Sequence, residues 1–529
     1  MRSYYEHLQM SVSGEKKKAV IAPKLTFRSS AIFPVMNRPG ISSRILFLGY
    51  WILKRHIKQI AAVVTLRSET GDTLYRSNLL IEQAKTYRIE LADLLLGMGR
   101  PSEDLFTGTL EIEFFSTANL VFPYPAVVIN YYGPNFCSVV HTAQRVYNDF
   151  EDMRNNSQCK VAESGFNIYA EEDQEPFFGL INGPQPVDDC KVSMKFYNAD
   201  KEVLPFELNL GKQGPYQLQM IYPSRHIDLK GFLKGKVGAG KIQFNVNWIF
   251  PRVLVGNINR SLPAVTITHT YYDCSQSESD SDYWLPTLPE WHPAALIVPM
   301  AIQGEQFTNI YFYPIYSPSI FQIDIEVYDG SGKCLGTKPG ALKLESPSDD
   351  FKRIDLKGIA QELGIPETQD LAARVIARTV DDNRLPARVK LGLDVGQQLE
   401  QMPCNICTNL QPFNPGLEGK PSSFRWSPIL ADQPDASFWI MNSAPAVKYE
   451  SRAEMVATFF REMDDATIVR EVTLPPHGFI VIRVSEDSEL KEFFRGKIGW
   501  CTVTTSNPYT TSYYFAKNPS GVVGGDHGF

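Results

Sequence analysis

The sequence predicts an all-β protein built from four tandem antiparallel β-sandwich domains of Ig-like type, joined by short linkers. Three observations predict this fold class. Aromatic residues make up 12% of the chain, and 36 Gly and 36 Pro supply turn formers, a balance that favours strands over helices. Segments of alternating polarity recur along the chain at nearly constant intervals. A length of 529 residues exceeds one ordinary core and suits three to five domains.

The stretch 177–273 is the clearest single unit. Residues 190–197 alternate in polarity and lead into the turn formers of 198–200, which predicts a hairpin. Residues 240–248 place Ile, Phe, Val and Trp on one face and Lys, Gln and Asn on the other, as in a half-buried antiparallel strand. The closing strand is predicted over 264–273, which is rich in β-branched and aromatic residues.

A short motif marks the repeat. Ile89, Ile227, Ile354 and Ile482 each begin an Ile-x-Leu or Ile-x-Val triplet, at intervals of 138, 127 and 128 residues. An alternating strand and turn precede each triplet, and another strand follows it. We therefore expect the four isoleucines to lie in equivalent strands of four whole domains, since units of this size can each enclose a core.

The repeat predicts the domain boundaries. Residues 275–282 are Ser-rich and acidic and form the plainest linker, which we expect to be the preferred site of proteolysis. The predicted division is a flexible leader at 1–25 and sandwiches at 26–155, 160–274, 283–410 and 422–529, the last with a Gly-rich tail.

Two short segments have competing interpretations. The stretch from Trp51 to His56 is either a basic patch or the outward face of an edge strand, and the charge that edge strands carry against sheet pairing favours the second. The Gly-rich end is typical of a flexible tail, while the adjacent Asp526 and His527 leave a docking role open.

Charge and cysteine usage restrict partners and compartment. A formal net charge of -7 over four domains gives no general attraction to nucleic acid or anionic lipid. The most apolar stretch, 45–64, contains Lys54, Arg55 and Lys58, which excludes a membrane span. No secretory signal is evident, and eight scattered cysteines are typical of reduced thiols. The predicted location is cytoplasmic, with export by a route without a cleavable signal left open.

The candidate site centres on a His-Thr pair in two predicted closing strands. A histidine there either forms hydrogen bonds inside the sandwich or stands on an open sheet face as a protonatable group. Aromatic residues beside such a group suit a sugar, and they equally suit a protein partner. The predicted ligand-binding residues are His141, Thr142, Tyr131, Tyr132, His269, Thr270, Tyr271 and Asp273.

Motifs of catalysis or cofactor binding are not recognisable in the sequence. It has no Gly-x-Ser-x-Gly elbow, His-Glu-x-x-His pair or Walker loop after a suitable strand. Cys404 and Cys407 form a Cys-x-x-Cys spacing, but a zinc site needs a second pair of ligands and none is visible. No catalytic residue, metal or cofactor is predicted.

The second unit resembles the sensory-rhodopsin-transducer family of small bacterial β-sandwich proteins. The resemblance lies in 179–182, 192–203, 223–229 and the closing His-Thr-Tyr-Tyr-Asp of 269–273. The first unit keeps the His-Thr pair at 141, the third has Cys-Thr at 407, and the fourth has no such pair. The resemblance implies a sandwich fold and a binding or signalling role, and it does not imply an enzyme.

These observations favour a non-enzymatic binding or scaffold protein with a carbohydrate or protein partner, in signalling or surface-polysaccharide handling. Homo-oligomerisation is left open.

Two alternatives to the binding or scaffold function remain. One is a carbohydrate-active enzyme with an inter-domain site, against which the lack of a repeated acid pair argues. The other is a structural subunit of an ordered assembly.

Overall fold

A computed structural model describes residues 25–141, 144–147, 158–270, 284–285, 294–314, 320–345, 350–380, 385–386, 389–397, 402–410, 423–443 and 450–529. These residues form eight four-stranded antiparallel sheets and two short two-stranded ones. The eight sheets fall into four consecutive pairs, here called units 1 to 4. The predicted all-β class of tandem β-sandwiches is therefore confirmed.

Unit 1 contains the first nine strands and two helices. They are β1 (Arg28–Asn37), β2 (Ser42–Leu48), α1 (Tyr50–Arg55), β3 (Ile60–Ser68), β4 (Thr73–Ile81), β5 (Thr86–Glu90), α2 (Leu91–Gly97), β6 (Phe106–Phe115), β7 (Val127–Gly133), β8 (Phe136–His141) and β9 (Arg145–Val146). Sheet A has the strand order β1-β6-β3-β4, and sheet B has the order β5-β2-β7-β8. Phe47 of sheet B packs edge-to-face on Phe114 of sheet A at 5.2 Å between ring centroids, which marks the core between the sheets.

Unit 2 repeats this arrangement. Its elements are β10 (Gln158–Ile168), β11 (Gln174–Ile181), β12 (Val187–Tyr197), β13 (Val203–Gln213), β14 (Leu218–Ile221), a 3₁₀ turn (Pro223–Arg225), α3 (Leu229–Leu233), β15 (Gly238–Asn247), β16 (Ile249–Phe250), β17 (Leu254–Asn259) and β18 (Ala264–His269). Sheet A is β10-β15-β12-β13 and sheet B is β14-β11-β17-β18, while β16 pairs with β9 of unit 1.

Units 3 and 4 have the same topology. Unit 3 comprises β19 (Trp284–Leu285), β20 (Ala294–Met300), β21 (Phe307–Phe312), β22 (Phe321–Tyr328), β23 (Cys334–Leu344), β24 (Lys352–Asp355), α4 (Leu356–Glu362), β25 (Leu371–Thr379), β26 (Leu385–Pro386), β27 (Val389–Gly396) and β28 (Cys404–Leu410). Unit 4 comprises β29 (Ser423–Ile429), β30 (Asp435–Asn442), β31 (Ala453–Phe460), β32 (Thr467–Leu474), β33 (Phe479–Arg483), α5 (Ser488–Phe494), β34 (Gly499–Thr505), β35 (Thr510–Lys517) and β36 (Val523–His527).

The strand order is identical in the four units. Sheet A of units 3 and 4 is β20-β25-β22-β23 and β29-β34-β31-β32, and sheet B is β24-β21-β27-β28 and β33-β30-β35-β36. β19 pairs with β26 in a short separate sheet. In every unit the last strand therefore forms one edge of sheet B, and we call β8, β18, β28 and β36 the closing strands.

The Ile-x-Leu motif marks the passage from the fifth strand of a unit to its helix. Asp228, Asp355 and Asp487 each cap a helix, accepting a hydrogen bond from a backbone N–H three residues later at 2.9–3.1 Å. Ile89, Ile354 and Ile482 lie in β5, β24 and β33, as predicted. Ile227 does not lie in a strand: β14 stops at Ile221, and the chain then turns through Pro223–Arg225, because proline cannot continue the ladder.

The hairpin tips of sheet A join each unit to the next. At three of the four junctions, the first residue of the fifth strand of one unit donates its backbone N–H to a carbonyl of the preceding unit's β-hairpin: Leu218 to Glu69 at 2.9 Å, Phe479 to Gly330 at 3.1 Å, and Thr86 to Arg461 at 3.1 Å. At the remaining junction, between units 2 and 3, Lys201 of the β12–β13 turn pairs with Asp350 at 3.1 Å.

Unit 4 thus contacts unit 1, and the four units form a closed head-to-tail ring. The closing strands meet at its centre, where β8 contacts β18, β18 contacts β28, β28 contacts β36, and β36 contacts β8. The hydrophobic cores are also continuous between units, since side chains of units 1 and 4 belong to one buried cluster.

Two local predictions are wrong. The stretch from Trp51 to His56 is not an edge strand: Tyr50–Arg55 is helical, with Trp51 fully buried, and His56 ends the helix in a left-handed conformation at φ 55°. The Gly-rich end is not a flexible tail either, because its residues form β36. A Cβ atom at Gly524 would overlap the carbonyl oxygen of Cys137, so glycine lets β36 lie directly against β8.

Other predictions fall partly or wholly outside the described residues. They include the leader over 1–25, of which residues 1–24 are not described, the linker at 275–282, and the side chains of Thr142, Tyr271 and Asp273. Among the described residues, no helix combines the length and apolarity that a membrane crossing requires.

Candidate functional site

The closing strands bring together side chains from three units at the centre of the ring. His141 ends β8, His269 ends β18, and Asp526 and His527 end β36. The ring of His141 lies 5.1 Å from that of His269 and 4.3 Å from that of His527, between centroids. We call these four residues the histidine cluster.

Asp526 connects the members of this cluster. Its Oδ2 accepts hydrogen bonds from the backbone N–H of His141 at 2.8 Å and from the ring Nδ1 of His141 at 2.7 Å. Its Oδ1 accepts from the backbone N–H of His527 at 2.8 Å. The carboxylate is 3% exposed, so these bonds replace the water that burial removes.

The same ring nitrogen is engaged in all three histidines. Nδ1 of His527 lies 2.8 Å from the carbonyl oxygen of Gly528, and Nδ1 of His269 lies 3.0 Å from that of Thr270. A carbonyl or an ionised carboxylate only accepts, so these contacts assign a proton to Nδ1 in each ring. In the neutral form of each imidazole, the lone pair is then on Nε2.

Burial sets the charges in the cluster. It lowers the pKa of His269 well below the usual range, and nearby Arg252 and His141 lower it further. It also lowers the pKa of His527 to about 4, with a further contribution from His141. For Asp526 burial alone favours protonation, but attraction to His141 holds the pKa of this carboxyl below its usual value. Near neutral pH, Asp526 is ionised, and His269 and His527 are neutral.

Of the two interpretations, a buried and hydrogen-bonded histidine describes His141 and His269, and an open sheet face does not. His269 and Thr270 are buried, and the backbone N–H of Thr270 donates to the carbonyl of Val253 at 2.9 Å. Tyr131 is fully buried and donates its hydroxyl to the carbonyl of Pro34 at 2.7 Å. The reason is tertiary: the closing strands face neighbouring units at the ring centre instead of solvent.

Tyr132 also belongs to a structural network. It is half-buried, its hydroxyl donates to Glu90 at 2.7 Å, and the Arg44 guanidinium lies 4.3 Å from its ring centroid. Arg44 donates in turn to Asp432 of unit 4 at 2.6 Å. Tyr132 therefore supports the junction of units 1 and 4 and is not part of the histidine cluster.

Asp526 and His527 are missing from the sequence-predicted site, although their adjacency in a Gly-rich segment left a docking role open. Both cysteines of the Cys-x-x-Cys lie in β28, and their thiols have different partners. Cys404 packs in the core of unit 3, whereas the thiol of Cys407 donates to the carbonyl of His269 at 3.3 Å. Cys407 thus brings the third closing strand against the cluster.

A second buried polar network lies between units 2 and 3. The Tyr169 hydroxyl of unit 2 donates to Asp394 of unit 3, which also accepts from Asn405 at 2.8 Å. The Tyr313 hydroxyl of unit 3 donates to Asn167 of unit 2 at 2.9 Å. Burial raises the pKa of Asp394 to about 6, although its hydrogen bonds oppose the shift. Polar bonds as well as apolar packing thus hold this junction.

Comparison with known proteins does not identify a family. No family model matches the chain, and no curated protein matches it. The chain is similar to a solved tetra-tandem repeat from the extending region of a large adhesion protein, at 8% identity and a TM-score of 0.09, over 94% of this chain and 98% of that one. The resemblance to the sensory-rhodopsin-transducer family remains a prediction.

Two β-glucuronidase structures are also similar. One, from Bacteroides uniformis, has 10% identity and a TM-score of 0.11, over 44% of this chain and 26% of that one. The other, from glycoside hydrolase family 2, has 8% identity and a TM-score of 0.12, over 95% of this chain and 74% of that one. TM-scores this low carry no argument about function.

Proposed function

We propose that this chain is a non-enzymatic scaffold protein that uses a single-chain ring of four β-sandwich units to bind a protein partner. The observation that carries the proposal is the closure of the ring. A backbone hydrogen bond of the same kind recurs at three junctions, and buried polar networks reinforce two of the four. Such a ring fixes the relative positions of four similar but chemically different surfaces, as a scaffold requires.

The arrangement of the central polar groups supports a structural role for them. Both oxygens of Asp526 are committed to backbone N–H groups, and the His141 ring is held by the same carboxylate. A catalytic base needs an approach to substrate, whereas this pair lies between two units and is largely buried.

Unit 1 carries an apolar surface that suits a protein partner. Its members are large exposed side chains around the start of β1 and the loop after β6: Leu25, Phe27, Phe115, Val121, Phe122 and Tyr124. The loop is held to the β1 end by hydrogen bonds, including one from the backbone N–H of Leu120 to the carbonyl of Thr26 at 2.7 Å. Exposed aromatic side chains on a fixed backbone are typical anchors of protein interfaces.

The test compares three full-length baits in one affinity-capture experiment with mass-spectrometric identification. They are the natural chain, the double variant Phe122→Ser with Tyr124→Ser, and the control Val469→Ser, which alters an exposed apolar residue of β32 in unit 4. We expect one protein to be enriched by the natural chain and the control but not by the double variant.

The captured protein is then purified and its affinity measured for all three baits, with a loss of at least tenfold expected for the double variant. Equal capture by all three baits would overturn the proposed surface. Glycan-array binding that the double variant abolishes would replace the protein partner with a carbohydrate.

A further inference from the structure

The histidine cluster contains an unusual concentration of metal-ligand side chains. His141, Asp526 and His527 each offer one ligand atom, and these atoms all lie within 4.8 Å of one another. Donors around a tetrahedral Zn²⁺ at about 2.0–2.2 Å stand roughly 3.3–3.6 Å apart. Closure of at most about 1.5 Å would bring this set to ligand distance.

The hydrogen bonds of the cluster indicate the ring atoms that would bind an ion. His527 directs Nδ1 to the carbonyl of Gly528, so Nε2 is the donor atom of its neutral ring, and histidine ligands of metal sites are held in this way by their second nitrogen. His141 directs Nδ1 to Oδ2 of Asp526 at 2.7 Å. An ion bound by both residues would take the place of the proton between these two atoms, which is released on binding.

Charge and access are also compatible with a cation. Asp526 supplies a buried negative charge, and His527 is the least buried member of the cluster. Arg252 is an opposing positive charge, since its guanidinium acts electrostatically on His269 and His527. The carboxylate of Asp526, which lies in the cluster itself, offsets the positive charge of Arg252.

We propose that the histidine cluster binds one divalent transition-metal ion of the Zn²⁺ type between units 1 and 4, through His141, His527 and Asp526. His269, whose ring contacts that of His141, is the fourth side chain in the cluster. Imidazole and carboxylate donors suit Zn²⁺ and Co²⁺ better than Ca²⁺, which prefers six to eight oxygens. The ion would link the first and last closing strands and so lock the ring.

The experiment uses untagged full-length protein treated with EDTA and then freed of chelator. Calorimetric titration with ZnCl₂ measures stoichiometry and affinity, CaCl₂ serves as the contrasting ion, and Co²⁺ reports tetrahedral coordination through its visible absorption. We expect one Zn²⁺ per chain, a higher melting temperature with Zn²⁺, and no comparable effect of Ca²⁺.

The variants His141→Gln and His527→Gln should each weaken Zn²⁺ binding at least tenfold and remove the melting-temperature increase. His226→Gln is the matched control, because His226 is exposed in unit 2 outside the cluster. Circular dichroism and the melting temperature in EDTA establish that each variant folds. If the natural chain binds no Zn²⁺, or if folded His141→Gln and His527→Gln bind it as tightly as His226→Gln does, the proposal is wrong.

Discussion

Asp526 accepts hydrogen bonds from both the backbone N–H and the ring Nδ1 of His141, 385 residues earlier in the chain. This carboxylate joins the last strand of unit 4 to the last strand of unit 1. A ring made from one chain needs such a contact, because the peptide bond connects units 1 to 2, 2 to 3 and 3 to 4 but not 4 to 1.

Replacing this carboxylate should therefore destabilise the protein. We expect Asp526→Asn to lower the free energy of unfolding by about 1.5–3 kcal/mol, the range for hydrogen bonds to a charged group. Urea unfolding in EDTA measures the change. Asp188→Asn is the control, since the Asp188 side chain is 92% exposed and its loss should cost less than about 0.5 kcal/mol. Equal stability of the two variants would contradict the role of Asp526.

Gly524 tests the close approach of the closing strands. Because a Cβ at this position would overlap the carbonyl oxygen of Cys137, Gly524→Ala should cost about 1–3 kcal/mol. Gly214→Ala is a suitable comparison, since the nearest atom to its new Cβ is 3.5 Å away. Urea unfolding of both variants gives the difference. A fully stable Gly524→Ala protein would show that β36 does not lie against β8 as described.

Asp394 predicts a pH dependence of stability at the junction of units 2 and 3. Burial raises the pKa of Asp394 from 3.8 to about 6, so between these values the folded protein holds a proton that the unfolded chain has lost. The stabilisation from this group is complete below about pH 3.8 and is lost as the pH rises through about 6. The stabilisation lost over this pH range amounts to about 1–3 kcal/mol of the free energy of unfolding.

Asp394→Asn removes this titration and preserves the shape of the side chain. The free energy of unfolding of the natural chain should therefore fall relative to that of Asp394→Asn between pH 4 and pH 7. Parallel urea titrations across this range measure the difference between the two proteins. A constant difference would show that Asp394 has an ordinary pKa in the folded state.

Limited proteolysis tests the ring as a whole. A Glu-specific protease should cut first after Glu278 in the predicted linker 275–282, which separates the chain between units 2 and 3. We expect the two fragments to elute together in size-exclusion chromatography, because the contacts of unit 2 with unit 3 and of unit 4 with unit 1 survive.

The same fragments should separate in denaturant, which is the control for complete cleavage. Separate elution of the nicked fragments under native conditions would contradict a closed ring. Early cutting inside unit 2 with an intact 275–282 segment would contradict the predicted linker.

The sequence by itself determined the strands and their repetition. Alternating polarity, as in 240–248, and turn formers, as at Asn198, are local signals, and the hairpin from β12 to β13 follows them. Isoleucines 89, 354 and 482 lie in equivalent strands because each local pattern specifies the same step of the fold. Ile227 departs from this pattern where Pro223 ends the ladder early.

Only the tertiary structure decided where the closing strands face. A strand's polarity pattern does not distinguish burial against a neighbouring unit from exposure of a polar sheet face, so the sequence allows either environment for His269, which the structure buries. The pairing of His141 with Asp526 joins residues 385 positions apart, and no local propensity encodes such a contact. The conformations of helix α1 and strand β36 were also not predictable from local sequence, because they depend on packing between units. Lys54 of α1 lies over the Trp426 ring of unit 4, and Gly524 of β36 lies against Cys137 of unit 1.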